Sequence, residues 1–139
     1  MRLSVFIAEQ PSTQLIIDLK KIYLNYLPES EITESKISEI LEKSSLFMTM
    51  FNERHIGAVK VEKNSTTATL SQLCIREITR RRGIGKNLLK QIEKQLITDG
   101  MTEIQYNLQE VKESELITMQ LFLKDSNYAI KGDVAYKKI

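Results

Sequence analysis

The stretch TRRRGIGK, residues 79–86, places four cations around two glycines just before an amphipathic segment. A helix N-terminus carries unpaired N–H groups and partial positive charge, so an anion placed there is stabilised twice. Arg80, Arg81, Arg82 and Lys86 add side-chain donors suited to phosphate oxygens. Gly83 and Gly85 let the backbone come close and take unusual angles. The chemistry implied is binding of a phosphate-bearing ligand. Two common nucleotide motifs fail on named residues. A dinucleotide fingerprint needs a third glycine where Leu88 stands, and a P-loop needs glycine at Arg80 and a hydroxyl at Asn87. The spacing Arg80-x-x-Gly83-x-Gly85 remains.

The whole chain limits the partners of such a site. Its 139 residues suit one domain, 1–139, of ordinary composition, 42% hydrophobic and 27% charged. The net charge of +2 is close to neutral, so the anion site is local. With no Trp and no broad basic face, nucleic acid is a poor fit. One cysteine and one histidine exclude a disulfide and the common zinc sets, so no metal is expected. No apolar run reaches the roughly 20 residues that span a bilayer. The expectation is a cytoplasmic protein with no membrane role.

The elements that must carry the motif follow from periodicity. Residues 2–8 predict a strand. Residues 11–27 predict a helix with Leu15, Leu19, Ile22, Tyr23 and Tyr26 on one stripe, started by Ser12 and stopped by Pro28. Residues 33–44 predict a short polar helix around Ile37, Ile40 and Leu41. Residues 46–75 read as three strands with turns at NERH and EKNST. A helix from about Ile84 to Leu96 buries Ile84, Leu88, Leu89, Ile92 and Leu96. Its Lys86, Lys90, Glu93 and Lys94 face water, and Gly100 follows its end. A strand (101–108), a helix (114–126) and two short strands around KGD (131–133) complete a mixed α/β order.

That order, with [Q/R]-x-x-G-x-[G/A] between the fourth strand and third helix, resembles the GNAT (Gcn5-related N-acetyltransferase) superfamily and its acyl-CoA loop. The resemblance implies a central mixed, mostly antiparallel sheet flanked by about four helices. LCIREITRRRGIGKNLL (73–89), FNERHIGAVKV (51–61) and IDLKKIY (17–23) resemble a narrower family, the PanM or PanZ maturation factors of aspartate 1-decarboxylase. Leu73 to Gly85 follow that family's L-x-V-R-E-V-T-R-R-R-G-V-G pattern. After about Gly100 only the general GNAT outline is matched, and Asn127 and Tyr128 stand where many GNAT members have Gly-Phe.

The resemblance implies a regulatory role. Members bind acetyl-CoA or CoA and the decarboxylase zymogen, PanD, in a hetero-oligomer with the PanD tetramer. They promote its self-cleavage to the pyruvoyl enzyme and can inhibit the mature enzyme when CoA is bound. By the same resemblance, Leu73, Cys74 and Ile75 pair with the pantetheine arm. Thr79, Arg80, Arg81, Arg82, Gly83, Ile84, Gly85 and Lys86 hold the phosphates, and Asn52 meets the protein partner.

Other residues have blander readings. Cys74 reads as core, His55 as a solvent-facing turn residue, and Tyr23 and Tyr26 as core. Asn52 could equally be chosen for its turn backbone. The alternative function is an N-acetyltransferase, which needs a base and an acid near the CoA sulfur. Tyr128 and Tyr136 could supply the acid. Ser71 and Gln72 occupy the strand where a base often lies, and Glu103 comes early in the next strand. That thin set favours a regulator with no catalytic residue of its own.

Overall fold

The computed structural model describes residues 3–24, 26–52, 54–76 and 83–139. A seven-stranded sheet runs in the order β1-β2-β3-β4-β5-β7-β6. The strands are β1 (Leu3–Ile7), β2 (Ser45–Phe51), β3 (Arg54–Asn64), β4 (Thr67–Ile75), β5 (Glu103–Asn107), β6 (Ala129–Lys131) and β7 (Val134–Lys138). Every neighbouring pair is antiparallel except β4 and β5, which are parallel. The connection between those two carries helix α3 (Ile84–Thr98), as a parallel crossover requires.

The other helices are α1 (Thr13–Ile22), α2 (Glu34–Lys43) and α4 (Glu113–Asp125), with a 3-10 turn at Glu29–Glu31. The sheet separates two cores. Leu15, Leu19 and Ile22 of α1 and Ile37 of α2 pack with Met48, Ala58 and Cys74 on one face. Leu88, Leu89, Ile92 and Leu96 of α3 and Leu123 of α4 pack with Leu70, Ile104 and Tyr106 on the other. Each fully buried aliphatic side chain contributes roughly 1.5–3 kcal/mol. The two-sided burial is why β2, β3 and β4 read as near-continuous apolar runs.

The helix starts follow local chemistry. Ser12 Oγ accepts from the Leu15 amide and Thr33 Oγ1 from the Lys36 amide, capping α1 and α2. Gly100 closes α3 at φ 87°, and Gly132 turns β6 into β7 at φ 60°. Two expectations shift. Helix α1 ends at Ile22 rather than near Pro28, because Tyr23 leaves helical geometry and its hydroxyl turns to the sheet. The first hairpin turn is tighter than NERH. Phe51 pairs with Arg54 and Met50 with His55, so His55 belongs to β3.

The Asn127-Tyr128 pair follows the end of α4. Asn127 sits at φ 71°, a left-handed position that glycine favours and asparagine tolerates. Tyr128 is buried, and its hydroxyl lies 3.4 Å from Glu93 Oε2. Burial and the adjacent Glu93 carboxylate push the phenol's pKa upward. Lys137 Nζ also reaches Glu93 Oε1 at 2.7 Å. Glu93, expected in water, is thus half-buried in a polar knot.

Candidate functional site

The site begins with a fault in β4. The ladder to β5 pairs Thr67–Leu70 with Glu103–Tyr106 and ends there. On the β3 side the register jumps between Ala58 and Lys60, opposite Gln72 and Leu73. Gln72 takes φ 55°, so one extra residue is accommodated as a β-bulge. Beyond it the two parallel strands part, leaving Leu73–Ile75 outside the β5 ladder.

Two buried tyrosines hold the bulge. The Tyr23 hydroxyl donates to the Gln72 carbonyl at 2.6 Å, and the Leu73 amide donates to the Tyr106 hydroxyl at 2.9 Å. Burial pushes both phenols' pKa values upward, so both stay neutral near pH 7. A buried peptide group without a partner costs about 1–3 kcal/mol, and each phenol removes such a penalty at the bulge.

Cys74 is buried, its thiol donating to the Ile22 carbonyl at 3.1 Å, which bears out its reading as core. Tyr23 is core as expected. Tyr26 is half-buried with Lys112 Nζ 5.8 Å above its ring.

Helix α3 supplies the second half. Gly83 takes φ 75° at the N-cap, and no side chain among the described residues caps the helix. The first intrahelical bond runs from the Asn87 amide to the Gly83 carbonyl, so the Ile84, Gly85 and Lys86 amides lie in the first turn without helical acceptors. Gly83 has the unusual backbone angle expected of it; Gly85 does not. Its conformation is helical, and a Cβ there would sit 3.0 Å from Phe122 Cζ. Gly85 lets α4 pack closely on the first turn of α3.

The same added Cβ would lie 3.9 Å from Ile75 Cγ1, so the strand end and the helix start are brought together. Lys86 is exposed beside them. Thr79, Arg80, Arg81 and Arg82 lie outside the described residues. The geometry suits a ligand with an anionic group at the α3 amides and an extended amide-bearing arm along Leu73–Ile75.

The remaining candidates divide by location. Asn52 is exposed at the β2–β3 turn with φ 50°, so its backbone role is real whatever else it does. The Arg76 amide bonds the Ile56 carbonyl at 2.7 Å, which puts this hairpin end at the same end of the sheet as the start of the phosphate loop. His55 is not a solvent-facing turn residue. It is half-buried in β3, with Nδ1 2.5 Å from Asp18 Oδ2.

The acetyl-transfer candidates do not converge. Glu103 pairs with Thr67, eight residues along β4 from Ile75, or roughly 25 Å at the usual strand rise. Tyr128 is engaged with Glu93, and Tyr136 lies on β7 opposite Gln105. A polar pocket of about 310 Å³ adjoins the bulge, lined by Gln72 with Glu31, Lys36, Glu39, Lys43, Lys60 and Glu62 among others. Among the described residues there is no cluster of three His, Cys, Asp or Glu that could hold a metal, and no helix long and apolar enough to cross a membrane.

Sequence reasoning missed the bulge, both tyrosine clamps and the Asp18–His55 pair. The bulge had a signal. Ala68 and Leu70 face the α3 core, and so does Leu73, an odd step that breaks the two-residue period. The clamps had none, because each joins residues more than 30 positions apart.

Comparison with known proteins agrees with this geometry. The family model for the PanZ acetyltransferase (GNAT) domain matches residues 2–135. The PanD regulatory factor of Escherichia coli K12 is 36% identical over 92 residues, covering 66% of this chain and 67% of that protein. The solution structure of E. coli YhhK bound to coenzyme A superposes with a TM-score of 0.79 at 27% identity, covering 100% of both chains. PaiA N-acetyltransferase of Thermoplasma acidophilum, in complex with coenzyme A, gives a TM-score of 0.74 at 15% identity over 100% of both chains, which speaks for the fold alone. With its seven-stranded sheet, parallel β4–β5 fork and four helices in GNAT order, the chain belongs to the PanZ family of GNAT domains.

Proposed function

We propose that this protein is a CoA-responsive regulator of aspartate 1-decarboxylase. It binds acetyl-CoA or CoA, docks on the PanD zymogen, promotes self-cleavage to the pyruvoyl enzyme and restrains the mature enzyme when CoA is bound. The observation that carries this reading is the family match over residues 2–135, joined to a β4–β5 fork that opens beside a glycine-started helix.

The α3 amides of Ile84, Gly85 and Lys86, with Thr79, Arg80, Arg81 and Arg82 ahead of Gly83, would hold the phosphates. Leu73, Cys74 and Ile75 would pair with the pantetheine arm through their backbone, which explains why a buried cysteine is tolerated there. Bound CoA supplies phosphate charge and an extended arm rather than a reacting group. Asn52 would meet PanD from the hairpin at the same end of the sheet.

Promotion of cleavage requires no catalytic side chain from this chain. A surface with greater affinity for the strained, reactive form of the zymogen loop than for its resting form shifts the population toward reaction. Ligand binding at the fork then couples CoA supply to partner affinity.

The alternative is an N-acetyltransferase, and the polar pocket beside Gln72 is the observation in its favour, since an amine could lie there next to the fork. One experiment separates the two. The protein is mixed with the cognate decarboxylase precursor, with and without acetyl-CoA; cleavage is followed on a gel and binding by calorimetry. Ligand-dependent binding and faster cleavage are expected. No binding and no cleavage, with acetyl-CoA still bound, would leave the acetyltransferase reading. An Asn52→Ala variant that binds CoA and activates normally would remove that residue from the partner surface.

A further inference from the structure

His55 is held like a group meant to be presented. Its Nδ1–H donates to Asp18 Oδ2, and the other carboxylate oxygen accepts from Gln14 Nε2 at 2.9 Å. The ring lies tilted against Phe6, with centroids 5.5 Å apart and planes at 45°. A carboxylate on one nitrogen and an aromatic face beside the ring together fix its orientation. Nε2 has no hydrogen-bond partner among the described residues, and the side chain keeps 17% of its surface exposed. An imidazole needed for packing alone would not require a carboxylate with both oxygens occupied to orient it.

Its position gives this a direction. Met50 pairs with His55 and Phe51 with Arg54, so the ring stands one ladder step from the Asn52 turn. The next residue, Ile56, accepts the Arg76 amide, at the end of the sheet where the phosphate loop begins. Asn52 and His55 are thus two polar groups on one hairpin end, one presented by a left-handed turn and the other by Asp18.

We propose that His55 Nε2 is a hydrogen-bonding contact for the protein partner, with Asp18 as its positioning residue. Asn52 and His55 then form one polar docking surface. The proposal rests on the regulatory reading above and extends it to residues that the reading did not include.

Calorimetry of the acetyl-CoA-saturated protein against the uncleaved decarboxylase precursor tests it. His55→Ala is expected to weaken partner affinity about ten-fold, the loss of one well-placed interface hydrogen bond. His55→Gln, which keeps a hydrogen-bonding amide on a side chain of similar reach, is expected to recover most of that loss. Asp18→Ala leaves the imidazole but frees it, and should cost about three-fold. Acetyl-CoA affinity should not change in any of the three.

Wild-type partner affinity in His55→Ala overturns the proposal, as does a His55→Gln variant no better than alanine. Full affinity in Asn52→Ala beside weak affinity in His55→Ala supports the His55 contact and overturns the Asn52 assignment alone. If the unmodified protein fails to bind the precursor at all, the regulatory reading and this contact are both overturned.

Discussion

The Leu73 amide donates to the hydroxyl of Tyr106 across the point where β4 and β5 part. That bond spans the fork from the first strand residue beyond the bulge to the last residue of the β5 ladder. It supplies the partner that Leu73 would otherwise find in a neighbouring strand. Tyr106→Phe leaves a buried amide unpaired and is expected to lower unfolding free energy by about 2 kcal/mol in urea titrations. Tyr23→Phe strands the Gln72 carbonyl and should cost about 1 kcal/mol. Losses under ~0.5 kcal/mol for both would mean that the bulge holds itself.

How much of this was legible depends on the range of each interaction. The buried stripe of α3 was legible, because Ile84, Leu88, Leu89, Ile92 and Leu96 repeat at helical spacing and all are buried. A central sheet with four helices was legible from element order, and its mixed, mostly antiparallel pairing from the family resemblance. The hairpin was misjudged by two residues, since NERH has turn-forming composition while the ladder closes at Phe51 and Arg54. That small error hid His55, whose partner Asp18 lies 37 residues away on a helix. Gly85 was assigned a backbone role from a motif, whereas its missing side chain is answered by Phe122 of α4, a contact no local pattern records.

Gly83 and Gly85 should therefore fail in different ways. Gly83→Ala puts a side chain at φ 75° with no described residue within 4 Å of its Cβ, a strain of about 1–2 kcal/mol. Gly85→Ala meets the Phe122 ring at 3.0 Å, and the ring or α4 must move. Overpacking of this kind costs roughly 1–3 kcal/mol. Adding Phe122→Leu to Gly85→Ala is expected to restore stability, read by thermal unfolding, while doing nothing for Gly83→Ala. If CoA affinity returns with stability in the double variant, Gly85 serves α4 packing rather than phosphate approach.

Thr49 offers a gain. Its side chain is fully buried in β2, and its hydroxyl has no hydrogen-bond partner among the described residues. Valine has nearly the same shape and no group to desolvate. Thr49→Val is expected to raise unfolding free energy by about 1 kcal/mol, measured by urea denaturation. A loss of stability instead would mean that the hydroxyl has a role in the fold.

Alkaline stability should report the three buried phenols. Burial raises the folded-state pKa of Tyr23 and Tyr106, and burial with the Glu93 carboxylate raises that of Tyr128. In the unfolded chain each titrates near its ordinary value of about 10. Below that value both states keep the proton, and the contribution to stability is fully present. Above it the unfolded state binds fewer protons than the native state, so stability falls as pH rises toward the folded-state values. Each tyrosine adds a slope of about −1.4 kcal/mol per pH unit in that window. Tyr128→Phe should therefore flatten the curve above about pH 10 by one proton's slope and leave the slope near pH 8 unchanged. Urea midpoints between those limits measure this, and an unchanged alkaline slope in the variant would place the Tyr128 hydroxyl in contact with water.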